Sequence, residues 1–353
     1  MNSCERETFE AITPQLAAEW TRILSEEQSV HDLGQTPEWC SNWAETYRSA
    51  YQNLKIVRED SSVYPLMIRR FAGLRVLQWI GQGCGMESDY SGGGGSCKKL
   101  LGALIDSDDW DVAQLQLPHW QNECAMLVKT LLRYEKYLWT VDVADQSVVI
   151  NLPNTFEDWL STLAKTPRNH ARRFVKNVDE GATRFEILTG ADILPALDDL
   201  IANNRQQWNV LSRPEDAQFL KKTVQDLTHS PNLFLAQIVD DNCVPACCLG
   251  YCSGGFVFIH TAGIRREEYK GMAPGIALYS LLIREMIQRG MQTFDFCPGL
   301  EEYKFRLGGH WVPNHHIVFA RNRLAYCRYR ATRATASFFR SSRDLMRRKI
   351  GNS

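Results

Sequence analysis

The chain has 353 residues, too many for one typical core and enough for two domains of about 150 residues each. A composition of 44% hydrophobic and 23% charged residues is ordinary for a water-soluble globular protein, and no run of about 18 or more apolar residues offers a membrane-spanning helix. The net charge of −1 conceals an asymmetry: residues 321–353 carry ten Arg and Lys against Asp344 alone, a net of +9 on a body of −10. Such a tail suits an anionic lipid surface or a nucleic acid, and equally a solvated helix docked through Phe338, Phe339 and Leu345. Met1 to Trp20 lacks a basic stretch followed by an apolar one, so no secretory leader is expected. Eleven cysteines without such a leader point to reduced thiols in the cytoplasm. Cys243, Cys247, Cys248 and Cys252 lie in a strand-like run and read as small buried residues rather than zinc ligands, so no metal is expected.

In chain order, Leu16 to Leu24 and Glu38 to Tyr51 carry helical periodicity, and strand-like runs follow at Leu54 to Arg58, Val63 to Arg70 and Leu74 to Ile80. Gly81 to Ser96, with four consecutive glycines, reads as a surface loop. Its Gly81-x-Gly83-x-Gly85 is no dinucleotide fingerprint, because no helix opens behind it. Trp110 to Leu117 reads as a strand, Glu123 to Tyr134 as a helix and Tyr137 to Val143 as a strand. Asn151, Pro153 and Asn154 then break the pattern and mark a boundary. Helices are expected over Thr155 to Ala164, Pro167 to Asp179, Ile193 to Trp208 and Phe219 to Leu227. Strands are expected over Arg184 to Leu188, Leu233 to Val239, Val244 to Tyr251 and Phe256 to Ala262.

The densest signals lie in residues 256–309. An apolar strand reaching His260 leads through Lys270-Gly271-Met272-Ala273-Pro274-Gly275 into a helix whose apolar residues, Ile276, Leu278, Tyr279, Leu282 and Ile283 among them, recur at helical spacing. Pro274 suits the first helical turn and Gly290 the C-terminal cap. A second strand closes on Asp295, and a tight loop leads to Tyr303-Lys304. A helix N-terminus flanked by backbone N–H groups holds a pyrophosphate, which points to acyl transfer from a nucleotide-linked thioester.

This run resembles the core of the GNAT acyltransferase superfamily, in which a strand leads into a loop of form R/Q-x-x-G-x-G/A and then a helix. Lys270, Gly271, Ala273 and Gly275 occupy that register. More narrowly, Pro274-Gly275, Gly290, Asp295-Phe296, Gly299 and Tyr303-Lys304 resemble the BioF2-like acetyltransferase domain of the CelD/BcsL family. Tyr303 to Gly308 is also similar to a signature of the Fem aminoacyl ligases. Gln35-Thr36-Pro37-Glu38-Trp39, Ser88-Asp89-Tyr90, Arg168 to Arg173 and Gln207-Trp208 extend the resemblance over residues 35–310.

The resemblance implies an α/β (mixed α+β) fold: a tandem pair of GNAT-like domains, each a twisted mixed sheet flanked by helices. They would span residues 1–150 and 151–320, followed by the basic tail 321–353. It also implies an N- or O-acyltransferase that uses acetyl-CoA or another acyl-CoA as co-substrate, with a small-molecule or glycan acceptor such as an envelope polysaccharide or lipid-linked precursor. Lys270, Gly271, Met272, Ala273 and Gly275 would hold the pyrophosphate. Asp295 would orient or deprotonate the acceptor, or else cap the turn at Gly299. His260 is a base or a packed strand residue; Tyr303 would protonate the leaving thiolate and Lys304 would neutralise charge on the carbonyl oxygen. Arg168 and Arg172, four apart, and Trp208 suit an anionic or polyhydroxylated acceptor, or a solvated helix and core packing.

Two alternatives stay open. One is a Fem-like transferase whose donor is an aminoacyl-tRNA held by the tail; the other is a non-catalytic partner in a polysaccharide system, since Pro274 removes one donor from the loop. The set Asp295, Tyr303 and Lys304 favours the enzyme. The expected location is cytoplasmic, peripheral to the inner membrane through the tail.

Overall fold

The structure, a computed structural model, describes residues 6–26, 30–49, 52–59, 62–82, 86, 104, 107–121, 126, 128–130, 132–133, 137–207, 210–240, 243–265 and 273–335. Its strands are β1 (Arg6–Phe9), β2 (Gln52–Glu59), β3 (Ser62–Phe71), β4 (Leu74–Trp79), β5 (Val112–Leu117) and β6 (Leu138–Asn151), then β7 (Arg184–Leu188), β8 (Leu233–Asp240), β9 (Cys243–Ser253), β10 (Phe256–Ile264), β11 (Thr293–Pro298) and β12 (His310–Ala320). The longer helices are α1 (Pro14–Glu26), α2 (Pro37–Tyr47), α3 (Phe156–Thr162), α4 (Lys165–Asp179), α5 (Ile193–Gln207), α6 (Pro214–Asp226), α7 (Pro274–Gln288), the short α8 (Glu302–Arg306) and α9 (323–335).

All twelve strands join one sheet, in the order β1-β2-β3-β4-β5-β12-β6-β11-β10-β9-β8-β7. Read inward from either edge, the pairing senses are the same. Three antiparallel pairs come first, then one parallel pair (β4 with β5, β10 with β11), then one antiparallel pair (β5 with β12, β11 with β6). The sheet is therefore two copies of one six-stranded unit, and each copy takes its sixth strand from the other's stretch of sequence. β6 follows β5 in the chain yet closes the later half, and β12 follows β11 yet closes the earlier half. The two exchanged strands meet antiparallel at the centre, paired from His310 with Val149 to Ala320 with Leu138.

Local chemistry explains the main elements. Thr36 starts α2 by accepting the Trp39 N–H, with Pro37 in the first turn. α2 ends at Tyr47, short of the expected Tyr51, because Arg48 turns extended and β2 begins at Gln52. α1 and α2 pack on α5 and α6 in a core that joins Trp20, Trp39 and Trp43 to Leu200, Phe219 and Leu249. α4 and α7 cover the opposite face of the later half through Ala171, Phe174, Leu278 and Met286. Cys247 and Cys248 alternate along β9 into these two different cores, and burial raises both thiols. α9 opens the basic tail and docks by burying Ala325 and Tyr329 beside Leu74 and Val76, while Arg323, Arg328, Arg330 and Arg333 stay exposed.

Sequence periodicity does not predict β12. Its HWVPNHHIVFA carries a proline, which argues against a central strand. Pro313 is tolerated because only β6 pairs at that level; the β5 ladder begins at His315, past a register shift between Asn314 and His315. Fully buried Asn314 stitches the shift: its amide donates to Asp145 Oδ1 (2.6 Å) and Ser147 Oγ (2.8 Å), and its oxygen accepts the His119 N–H (2.9 Å). Also on β12, His316 Nε2 lies 2.7 Å from Gln114 Nε2 and 3.0 Å from Gln82 Nε2, contacts that require a neutral ring accepting at that nitrogen.

Burial, with Arg333 nearby, pushes the His316 imidazole down to about 4. In the unfolded chain the ring titrates near 6.5, so between these values the unfolded state binds the extra proton and stability falls as pH falls. The His316 contribution, about 3 kcal/mol in all, should be present above pH ~6.5 and lost as pH drops toward 4. Urea-unfolding midpoints across that window should flatten by this amount in His316→Gln, which accepts a hydrogen bond but does not titrate. An unchanged profile would show that the ring is not held neutral.

Candidate active site

The candidate site lies where β10 and β11 part. They pair in parallel for three positions, ending at Phe258 with Asp295. Just beyond, β10 shifts register against β9 between Ile259 and Thr261, leaving His260 at the bulge. At the same level β11 shifts against β6 between Asp295 and Pro298, with Cys297 in the left-handed region at φ +59°. Two bulges facing each other bend the strands apart and open a cavity of about 230 Å³. Its far wall is α5, held tight to β10. A Cβ on Gly263 would meet the Leu200 carbonyl oxygen at 2.8 Å, and Asn204 donates to the Ala262 carbonyl at 2.9 Å.

His260, Tyr303 and Lys304 line this cavity with Tyr279 and Glu301; Asp295 does not. His260 is nearly buried, and its Nε2 lies 2.6 Å from Oδ1 of the fully buried Asp32. Tyr303 stacks on Tyr279, with centroids 5.5 Å apart and planes within 7°. Complete burial, and then the neighbouring Tyr303, hold the Tyr279 hydroxyl well above the ordinary phenol range, so it stays protonated.

Two expected roles are corrected by geometry. Lys304 is 3% exposed, and its ammonium faces the carbonyls of Phe296, Cys297, Pro298 and Gly299 at 3.0 to 3.3 Å and Glu301 Oε2 at 2.9 Å. With three protons among five acceptors, it clamps the turn after β11 rather than presenting a cation to a substrate. Asp295 uses both oxygens: Oδ1 accepts the Cys297 N–H at 2.8 Å and Oδ2 lies 2.8 Å from His119 Nε2. It shapes the bulge and the contact between halves, and it does not line the cavity. Its turn-capping role is the one the geometry shows, at Cys297.

Ala273 and Gly275 flank Pro274 at the start of α7, where Ala273 adopts φ +50° and the helical ladder opens with Ala277 N–H to the Ala273 carbonyl. Gly275 has a packing reason to be glycine, because a Cβ there would stand 2.7 Å from Ile264 Cδ1. Its N–H still belongs to the first turn, where a helix leaves donors for an anion. Lys270, Gly271, Met272 and Trp208 lie outside the described residues. Arg168 and Arg172 do not line the cavity. Arg168 donates to the carbonyls of Ser161 and Leu163, closing the end of α3, and Arg172 pairs with Glu157 at the surface. In this arrangement both arginines join α3 to α4.

Sequence reasoning did not find His119 or Asp32. The D-L-G-Q spacing of Asp32 and Gln35 is legible as a capping pattern, but nothing in it points to a histidine 228 positions away. Residues 165–305 match the family model described as Acetyltransferase (GNAT) domain. Among solved structures the fold is similar to FemX, at 12% identity over 88% of this chain and 96% of that one, with a TM-score of 0.59. It is similar to L-PGS from Bacillus licheniformis, at 14% identity over 92% and 97% with a TM-score of 0.53. A conserved protein of unknown function from Bacteroides thetaiotaomicron VPI-5482 is similar at 13% identity over 86% and 97%, with a TM-score of 0.55. No curated protein matches the chain by sequence. The sheet repeats one six-stranded pattern twice, and the stretch that matches the GNAT acetyltransferase domain supplies the cavity between β10 and β11.

The Lys304 clamp has a direct test. Lys304→Met strips the donor from a buried set of carbonyls and should lower unfolding free energy by about 2–4 kcal/mol in urea denaturation. Lys304→Arg should not restore it, since a planar guanidinium cannot meet acceptors converging on one point. A fully stable Met variant would return the lysine to its expected role of neutralising charge on the substrate carbonyl oxygen.

Proposed function

We propose that the protein is a GNAT-type transferase that moves an acyl group from acetyl-CoA or a longer acyl-CoA onto an amine or hydroxyl acceptor, on an envelope glycan or a lipid-linked precursor. The observation that carries this reading is the cavity between the parted strands, which brings His260 and Tyr303 together in the stretch that matches an acetyltransferase domain. The acceptor N or O attacks the thioester carbonyl carbon and gives its proton to His260; the C–S bond breaks, and the coenzyme A thiolate takes the Tyr303 hydroxyl proton. Acid and base return to their starting states when the imidazolium proton passes to the tyrosinate, directly or by way of solvent. Gly275 and the rest of the first turn of α7 would face the donor's pyrophosphate.

The second reading keeps the fold and changes the donor to an aminoacyl-tRNA. The Fem-like Tyr303 to Gly308 and the fold similarity to FemX support it, with the exposed arginines of α9 as the RNA contact. It requires binding that weakens steeply with salt. The same arginines would hold the protein at an anionic membrane surface, each adding about 1 kcal/mol there. Among the described residues no helix is long and apolar enough to cross a membrane.

Isothermal titration with acetyl-CoA and longer acyl-CoAs should show saturable binding, and absence of heat with every one of them would remove the coenzyme A reading. Tyr303→Phe should then lower turnover by roughly 10²-fold while donor affinity survives, as for a group that acts in the transition state. Full activity in that variant would take Tyr303 out of the chemistry.

A further inference from the structure

We infer that Asp32 is the positioning residue of His260, so that a loop from the start of the chain completes the base of a cavity formed by the later half. The inference rests on the acyl-transfer reading for its purpose, and on contacts with no substrate for its evidence. Asp32 lies far outside the matched stretch 165–305, yet its Oδ1 is 2.6 Å from His260 Nε2, with its side chain fully buried and that of the histidine 10% exposed.

The loop that carries Asp32 is locked on both sides. Its N–H donates to Gln35 Oε1 at 2.8 Å, and its Oδ2 accepts the Gly34 N–H at 3.4 Å, a capping box around the short turn Leu33–Gln35. Oδ2 therefore serves the loop and Oδ1 is left aimed at the histidine. Next door, His31 lies between Ser253 Oγ, 2.8 Å from its Nδ1, and the Tyr251 hydroxyl, 3.2 Å from its Nε2, which pins the loop to the end of β9. Residues 31–37 are buried throughout. A carboxylate held this rigidly in the interior needs a cationic or proton-donating partner, and His260 is the one it touches.

The consequence is chemical. The carboxylate charge beside Nε2, close but not aligned for a hydrogen bond, stabilises the imidazolium formed when the ring takes the acceptor's proton. The other titratable groups on the cavity walls are Tyr279 from α7, Cys297 from β11, and Glu301, Tyr303 and Lys304 around α8. Glu301 and Lys304 pair with each other at 2.9 Å, so Asp32 is the carboxylate in contact with the histidine.

The test compares the full chain with Asp32→Asn, which keeps the cap because asparagine caps as well as aspartate but removes the charge. The ring signals of His260, assigned with His260→Gln, are followed by NMR against pH with no donor or acceptor present. The titration midpoint should fall by about one unit or more in Asp32→Asn. The same midpoint in both proteins would overturn the inference. If Asp32→Asn does not fold, the parent protein decides: a midpoint above about 6.5 supports the pairing and one below it overturns it. This readout stands whether or not acyl-CoA binds, so its failure is distinct from failure of the transferase reading. If the transferase reading holds, the acidic limb of the pH–rate profile should move with the His260 midpoint, while donor affinity changes by less than about twofold.

Discussion

The exchange of sixth strands between the two halves is the constraint on which the rest of the structure depends. β12 carries hydrogen-bond ladders on both sides, to β5 and to β6, so neither half of the sheet completes itself from its own stretch of chain. Exchange also dictates where the loops after the exchanged strands' neighbours can go. The turn after β5 carries His119, and Asn314 on β12 fixes that turn by accepting the His119 N–H. His119 then reaches Asp295 on β11. A side-chain path runs from the strand junction to the bulge that opens the cavity, and each step is a buried hydrogen bond or ion pair whose loss leaves a polar group unsatisfied. The cavity therefore depends on closure of the whole sheet.

Two copies of one strand pattern need not do the same work, and packing shows why they diverge. In the earlier half the parallel pair β4 and β5 also lasts only a short way, from Val76 with Val112 to Leu77 with Ala113. There the gap is spanned by side chains: Trp79 Nε1 donates to the Gln116 carbonyl at 2.8 Å, and Gln82 and Gln114 close on His316. Gly81 is glycine because Trp39 packs over it, at 2.2 Å from where a Cβ would stand, and not because it binds phosphate. In the later half the corresponding gap stays open and is lined by groups able to move protons. Side chains bridge the earlier wedge, and the later one holds the candidate cavity.

The sequence made the local part of this legible. The Pro274 helix start, the strands on either side of it and the clustering of His260, Tyr303 and Lys304 all follow from periodicity, turn chemistry and a family resemblance carried by nearby residues. Contacts made over long separations were not legible. Asp32 to His260 and His119 to Asp295 are set by which strands meet, and a strand with Pro313 and three histidines gives no periodic signal of its own. Residue type also misleads where burial reassigns it. A lysine and an aspartate next to a cleft read as catalytic charges, yet Lys304 and Asp295 direct theirs at the backbone.

That reassignment has a physical logic. Cys297 holds a left-handed backbone that costs a non-glycine residue about 1 kcal/mol or more, and it sits in the turn that separates β11 from β10. Asp295 accepts its N–H and the Lys304 ammonium donates to its carbonyl, so opposite charges grip the two ends of the strained residue. A turn fixed by charge-assisted hydrogen bonds does not need to reorganise when a substrate's charge changes. With Lys304 and Asp295 committed to shape, the cavity walls carry the His260 imidazole and the Tyr279 and Tyr303 phenols beside the Glu301–Lys304 pair and the Cys297 thiol.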